Sequence, residues 1–164
     1  MALKFFKFAG ALAVLVGIVH LIPLPPNEAY TRIGDHSIKS HLAYTGVEQM
    51  RGLSERKTLL GLDEGMLFVG RTAYNQCYSM DKTYIPLSIG FFDAQGRLIK
   101  ATNMKILDKT NICADGLAMY VLEMRDNWFA ENKIQLGQKL EGAQYTNLTF
   151  LQQLRLGFKV HLGL

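Results

Sequence analysis

Residues 85–104 read IPLSIGFFDAQGRLIKATNM, and the fold class follows from this stretch. Ile85–Phe92 and Leu98–Met104 are strand-like runs separated by Asp93-Ala94-Gln95-Gly96, where Gly96 can supply the positive φ that a tight hairpin often needs. The pair therefore reads as an antiparallel hairpin. Pro86 removes a ladder donor from the first arm, which predicts that its end of the strand lies at an edge or a bulge.

Working outward, Met66-Leu67-Phe68-Val69 is a compact apolar run between Gly65 and Gly70, consistent with a buried strand. Ile38–Tyr44 and Ala118–Glu123 are further strand candidates. Thr45 with Glu48 three positions on forms a capping-box pattern, and Val47, Met50 and Leu53 give a short apolar face, so one brief helix is expected there. Asp126 is positioned to cap a second short helix through Trp128, Ala130 and Ile134. Short strands punctuated by turns predict a mainly β chain: a small antiparallel β-sandwich or barrel-like domain with one or two short helices.

The N-terminal segment has a different character. Lys4 and Lys7 flank an apolar run from Phe8 to Leu24 whose one strongly polar side chain is His20. As a helix this run would span roughly 25 Å, and extending it back to Phe5 approaches a hydrocarbon core of about 30 Å. Pro23, Pro25 and Pro26 then end the helix. Residues 1–26 therefore read as a signal or membrane-anchor helix, with residues 5–24 contacting the membrane. The small-residue pattern of a cleavage site is poor at Asn27-Glu28-Ala29, which favours retention. The N-terminal lysines put that end in the cytoplasm. The expected location is a bacterial inner membrane with the domain in the periplasm, or the periplasm itself if the signal is cut. Residues 27–37, rich in polar and turn-forming residues, read as a linker to a domain over 38–143.

The chain has 164 residues, enough for one compact domain behind the leading segment. Its formal charge is +4, but Lys4 and Lys7 precede the first acid, Glu28, so the remainder carries a net +2. No block of basic residues interleaved with aromatics is present, so the sequence lacks an electrostatic footprint for nucleic acid.

An ordered set of motifs runs through the domain: Arg51-Gly52-Leu53, Glu64-Gly65-Met66-Leu67-Phe68, Met80 with Thr83, Ile85-Pro86-Leu87, Tyr120-Val121-Leu122-Glu123 and Gly137. The chain resembles the domain of unknown function 192 family over about residues 38 to 141. The resemblance implies a small mainly β domain with short helices, often behind an export signal, and supplies no activity. Two positions depart from the family pattern: Tyr78 stands where tryptophan is usual, and Ser88 where an aspartate usually follows Pro-Leu.

Several constellations bear on chemistry. Cys77 and Cys113 are the only cysteines. Export would permit a disulfide between them, while a pair of buried free thiols is the alternative. Cys77 with Met80 offers soft donors of the kind that suit Cu(I), but three-residue spacing along a strand points them apart. The histidines show no zinc-ligand spacing, so neither a metal nor another cofactor is expected. No serine or cysteine sits on a nucleophile elbow with an evident base, and no phosphate-cradling glycine loop is present. Glu64, Asp81, Asp93 and Glu123 are carboxylates that only the fold could bring together.

The candidate ligand-binding set is Arg51, Arg56, Glu64 and Thr83, all within or beside the family motifs. These side chains either tie the short helix and its loop to the sheet or form a polar pocket for an anionic group. Beyond the domain, residues 144–164 form an apolar C-terminal extension suited to docking on the domain, the membrane or a partner subunit. The expected function is a membrane-tethered extracytoplasmic binding or accessory module, non-enzymatic, in the manner of a peripheral subunit of a larger membrane protein complex. Its membrane-protein partner would be held through the anchor helix and the extension. The alternative is a small-molecule-binding protein or hydrolase-like enzyme with a polar pocket around Arg51, Arg56 and Glu64.

Overall fold

A computed structural model of the protein describes residues 28–43 and 45–143. The expected anchor helix over 1–26 and the extension over 144–164 lie outside the described residues, among which no helix is long and apolar enough to cross a membrane. The elements are β1 (Glu28–Ile33), β2 (His36–Ala43), α1 (Gly46–Arg51), β3 (Glu64–Tyr74), β4 (Cys77–Tyr78), β5 (Leu87–Phe92), β6 (Leu98–Met104), β7 (Ile112–Cys113), β8 (Ala118–Arg125), α2 (Trp128–Glu131) and β9 (Leu140–Glu141).

Seven strands form one curled sheet in the order β6-β5-β8-β3-β2-β1-β9, and β4 pairs with β7 separately. The chain is mainly β, as expected, and the sheet is antiparallel except that β2 and β3 run parallel, from Lys39 against Glu64 to Ala43 against Phe68. A parallel pair needs a crossover rather than a hairpin, and the chain through α1 and residues 52–63 provides it. The sheet curls on itself instead of packing against a second sheet. Its ends are drawn together where Leu98 N donates to Gln138 O (2.9 Å), Gly137 N to Leu98 O (2.8 Å) and Leu140 N to Gly96 O (2.8 Å).

The 85–104 hairpin forms as read: β5 pairs with β6 from Leu87 against Met104 to Phe92 against Leu98, and Gly96 has φ +77°. Pro86 is a correction. It precedes the first paired residue, Leu87, and β5 lies between β6 and β8 rather than at an edge. The proline costs no ladder bond because it stands just outside the ladder.

The expected linker is a second correction, since residues 28–33 form β1 and pair along their whole length with β2. Tyr30 and Arg32 are exposed while Thr31 and Ile33 are buried, a period of two in a stretch too short and polar to stand out against turn-forming neighbours.

The capping box at α1 is present, with Thr45 Oγ1 accepting from Glu48 N and Glu48 Oε2 accepting from Thr45 N. Its apolar face is not buried as expected: Val47 and Met50 are 71% and 80% exposed, and of the three only Leu53 enters a core. What docks α1 is polar. Gln49 Nε2 donates to the carbonyls of Ala43 (3.2 Å) and Val69 (2.9 Å). At α2 the N-cap is Asn127, with φ +59° and no side-chain cap bond, rather than Asp126.

Both faces of the sheet are buried. One gathers Ile33, Leu67, Phe92, Leu122, Trp128, Phe129 and Leu140, drawn from both ends of the curl. The other carries Phe68, Leu87, Ile89, Phe91 and Val121, covered by Leu53, Met80, Ile85 and Ala114 from the connecting segments. At Gly65 the backbones approach so closely that an added Cβ would stand 2.8 Å from Glu123 O and 2.5 Å from Met124 Sδ. Gly65→Ala is expected to lower stability by about 1 to 3 kcal/mol, measured by chemical denaturation, because the backbone of β8 cannot move aside.

Cys77 and Cys113 are joined in a disulfide that links β4 to β7, and their separation is 36 residues. In the chain-entropy model a loop of this size contributes roughly 3 to 4 kcal/mol. The Cys77→Ser, Cys113→Ser double variant should lose that amount in a denaturant titration. An unchanged midpoint would mean that the crosslink adds nothing to the fold's stability.

Candidate functional site

Between α1 with its following turn and the segment 77–83 lies a cleft of about 870 Å³. Phe68 of β3 and Glu123 of β8 contribute its floor; Tyr78, Ser79 and Thr83 stand on one side, and Arg51, Gly52 and Ser54 on the other. The two walls touch at Glu55 N, which donates to Lys82 O at 2.7 Å. Glu55 and Lys82 both have positive φ, +65° and +57°. Left-handed non-glycine residues cost energy and persist where surrounding contacts hold them. Here the contact closes the wall of the cleft.

Glu123 is the distinctive group. In register it lies between Met66 of β3 and Ile89 of β5, on the apolar face with Val121. It is 5% exposed, and no hydrogen bond or ion pair to its carboxyl is seen among the described residues. Burial pushes its pKa up to about 8, because the carboxylate form would lose its hydration with nothing in return. At neutral pH it is therefore mostly the uncharged acid, able both to donate and to accept a hydrogen bond.

Beside it, the Tyr78 ring stacks edge-to-face on Phe68 (4.9 Å between centroids) and Phe91 (6.1 Å). Tyr78 Oη donates to Gln76 Oε1 (2.9 Å), and Gln76 Nε2 donates to Ala118 O (2.9 Å). Desolvation, then the nearby Glu123, raises the phenol's pKa, so Tyr78 stays neutral. Thr83 is held from its backbone, donating to Met80 O (3.0 Å) and accepting from Leu107 N (3.2 Å).

The four expected site residues divide between two places. Arg51 and Thr83 line the cleft. Arg56 and Glu64 do not: Glu64 Oε1 accepts from Arg56 Nη2 (2.9 Å) and lies 3.2 Å from His41 Nε2, while Oε2 accepts from Gly61 N (3.0 Å). The Gly61 amide leads in holding the Glu64 carboxyl below its ordinary range, against a desolvation that opposes it, with Arg56 and His41 adding to the effect. Arg56 Nε also binds Thr58 O (2.8 Å), so the pair staples the 56–64 loop to the sheet. Arg51, exposed at the end of α1, borders both the cleft and an adjacent groove of about 650 Å³ that Arg56 and His41 line.

The four carboxylates do not converge either. Asp81 shares the cleft with Glu123, Glu64 belongs to the staple, and Asp93 Oδ1 serves its own turn by accepting from Gln95 N and Arg97 N. Cys77 and Met80 form no soft-metal pair, because the cysteine sulfur is in the disulfide and Met80 is packed in the core. Glu123 was legible as a carboxylate within an apolar strand, the one local sign of its burial.

The family model DUF192, described as "Uncharacterized ACR", matches residues 29–142. The chain belongs to the DUF192 family. Its match begins within β1, earlier than the motif resemblance placed it. Among curated proteins none matches. A crystal structure of a protein of unknown function from Novosphingobium aromaticivorans is 32% identical, with TM-score 0.67, covering 70% of this chain and 84% of that one. A Sinorhizobium meliloti protein described as a candidate transcription regulator is 24% identical, with TM-score 0.68, covering 74% and 98%, and shares the fold.

The two DUF192 departures are both accommodated locally. Tyr78 fills its place with a ring and a satisfied hydroxyl. Ser88 is buried and donates from Oγ to Arg125 O (2.8 Å), so no charge is left at that position.

Glu123 gives a pH prediction. A carboxyl whose folded pKa exceeds its unfolded one binds more protons in the native state, so stability falls as pH rises between about 4.5 and about 8 and levels off above. Glu123→Gln keeps the shape of the neutral acid. It should flatten that decline and gain on the order of 2 to 4 kcal/mol at pH 7, read from denaturant midpoints at several pH values.

Proposed function

We propose that this protein is a membrane-tethered extracytoplasmic binding module that holds a small molecule in the cleft between α1 and the 77–83 wall. The observation that carries the proposal is Glu123. A buried carboxyl with no hydrogen-bond or ion-pair partner among the described residues, opening into a cleft, lowers stability by itself and would be satisfied by a bound group. Strained backbone at Glu55 and Lys82 in the same walls accords with a site kept for function rather than stability. The thiol that could serve as a nucleophile in the cleft, Cys77, is bound in the disulfide, which favours holding a molecule over cleaving one.

The tether rests on the apolar run from Phe8 to Leu24 behind Lys4 and Lys7. It is supported by the Cys77–Cys113 disulfide, a bond that persists in oxidising compartments such as the periplasm. An apolar extension over 144–164 would bring the module against a membrane or a membrane complex.

A fragment screen by ligand-observed NMR on the full chain in detergent micelles tests the cleft. Gly46 lines it, and an added Cβ there meets nothing within 4 Å, so Gly46→Trp adds a ring to the cleft lining. Fragments that bind the wild type should lose their signal with this variant; hits that all persist would place binding elsewhere. For the tether, the full chain should sediment with inner membranes and become protease-sensitive once the outer membrane is opened. Recovery in the soluble cytoplasmic fraction would remove that half of the proposal.

A further inference from the structure

Glu123 also bears on what kind of molecule the cleft takes, an inference that rests on the small-molecule reading above. Among the described residues, the groups that face it come from three sides. From β3 and β5 come Met66, Phe68 and Ile89, none of which titrates. From the 74–83 side come the phenols of Tyr74 and Tyr78, then Asp81 and Lys82 at the rim; from the α1 side come Arg51 and Glu55. Rim charges balance as two acids and two bases, and Asp81 already lies 3.6 Å from Lys109. Among the described residues nothing cationic reaches the carboxyl on the floor, and its upward shift comes from burial. Among the described residues the floor therefore holds an acid with no positive charge beside it, next to Phe68 and Tyr78, while Tyr74 lines the same cleft further along β3, opposite Ala118 of β8. Aromatic faces attract cations, and a carboxylate completes such a site.

We propose that the ligand is a small organic cation, an ammonium head that ion-pairs with Glu123 while its hydrocarbon part lies against Phe68 and Tyr78. Binding at neutral pH then couples to deprotonation. The O–H bond of Glu123 breaks, its proton passes to solvent, and the carboxylate formed accepts hydrogen bonds from the incoming N–H groups. A free amine and the ammonium end of a zwitterion share this chemistry. Arg51 at the mouth would add to the affinity of a zwitterion through its carboxylate.

The test uses the full chain in micelles with four probes: benzylammonium, benzyl alcohol as its neutral counterpart, benzoate, and phenylalanine as a zwitterion. Calorimetry in two buffers of different ionisation heat counts protons. Benzylammonium should bind with release of close to one proton per site at pH 7, tighten about tenfold from pH 6 to pH 7, and level off above pH 8. Glu123→Gln, which preserves the neutral shape, should bind it at least about tenfold more weakly with an unchanged circular dichroism spectrum. Phenylalanine binding more tightly than benzylammonium, with the difference lost in Arg51→Ala, identifies a zwitterion; equal or weaker binding identifies a free amine.

Benzyl alcohol binding as tightly as benzylammonium, binding without proton release, or an unaffected Glu123→Gln variant would each overturn the cation assignment while leaving the cleft as a small-molecule site. If no probe binds, and the fragment screen likewise returns nothing that Gly46→Trp abolishes, the small-molecule reading falls and the cation assignment with it.

Discussion

β8 is hydrogen-bonded to β5 on one side and to β3 on the other, and apolar layers cover both of its faces. A strand in that position cannot send a side chain to water, so each residue from Tyr120 to Met124 must suit one core or the other. Tyr120, Leu122 and Met124 enter the layer with Trp128; Val121 enters the layer with Phe91. Glu123 has no such solution. The rest of the site follows from how the chain is arranged around that one carboxyl.

The arrangement is a half-finished cover. The 52–60 and 79–87 segments close the Phe68 face of the sheet with Leu53, Leu60, Met80 and Ile85, but between them the cleft remains open above Glu123. The walls are fastened from several directions: Gln49 ties α1 to β2 and β3, the Glu55–Lys82 bond joins one wall to the other, and the disulfide anchors β4 to β7. The Arg56–Glu64–His41 staple belongs to the same fastening, since it holds the loop that carries Leu60. Polar residues that looked like a binding set are in part the means by which a short helix and long loops are held on a small sheet. Buried polar groups that find partners in this way add order, while one that finds none is costly.

Much of this was readable beforehand where the signal is local. The hairpin at 85–104 was legible because a glycine able to take positive φ sits between two strand-like runs, and the cap of α1 because Thr45 and Glu48 lie at the spacing of a reciprocal hydrogen bond. Misread were features whose partners are distant. β1 looked like a linker, since the residues that make it a strand are in β2 and β9. Val47 and Met50 looked like a docking face, yet the contact that fixes α1 is a glutamine reaching two carbonyls. Arg51 and Arg56, five positions apart, were expected in one pocket; α1 ends at Arg51 with Gly52 as its C-cap, and the turn that follows sends Arg56 toward Glu64 instead.

A mainly β domain with a specific hairpin, a capped short helix, a family resemblance carried by ordered motifs and an apolar N-terminal run could all be read from the residues alone, because each is written in neighbouring positions through spacing and conformational preference. The parallel pairing of β2 with β3, the meeting of Cys77 with Cys113, and the place of Glu123 rather than Glu64 at the floor of the cleft emerge once the chain is folded. The physical reason is that burial belongs to a place and not to a residue type. Glu64 and Glu123 are the same side chain, but one is ringed by an amide, a guanidinium and an imidazole, and the other by hydrocarbon and aromatic rings.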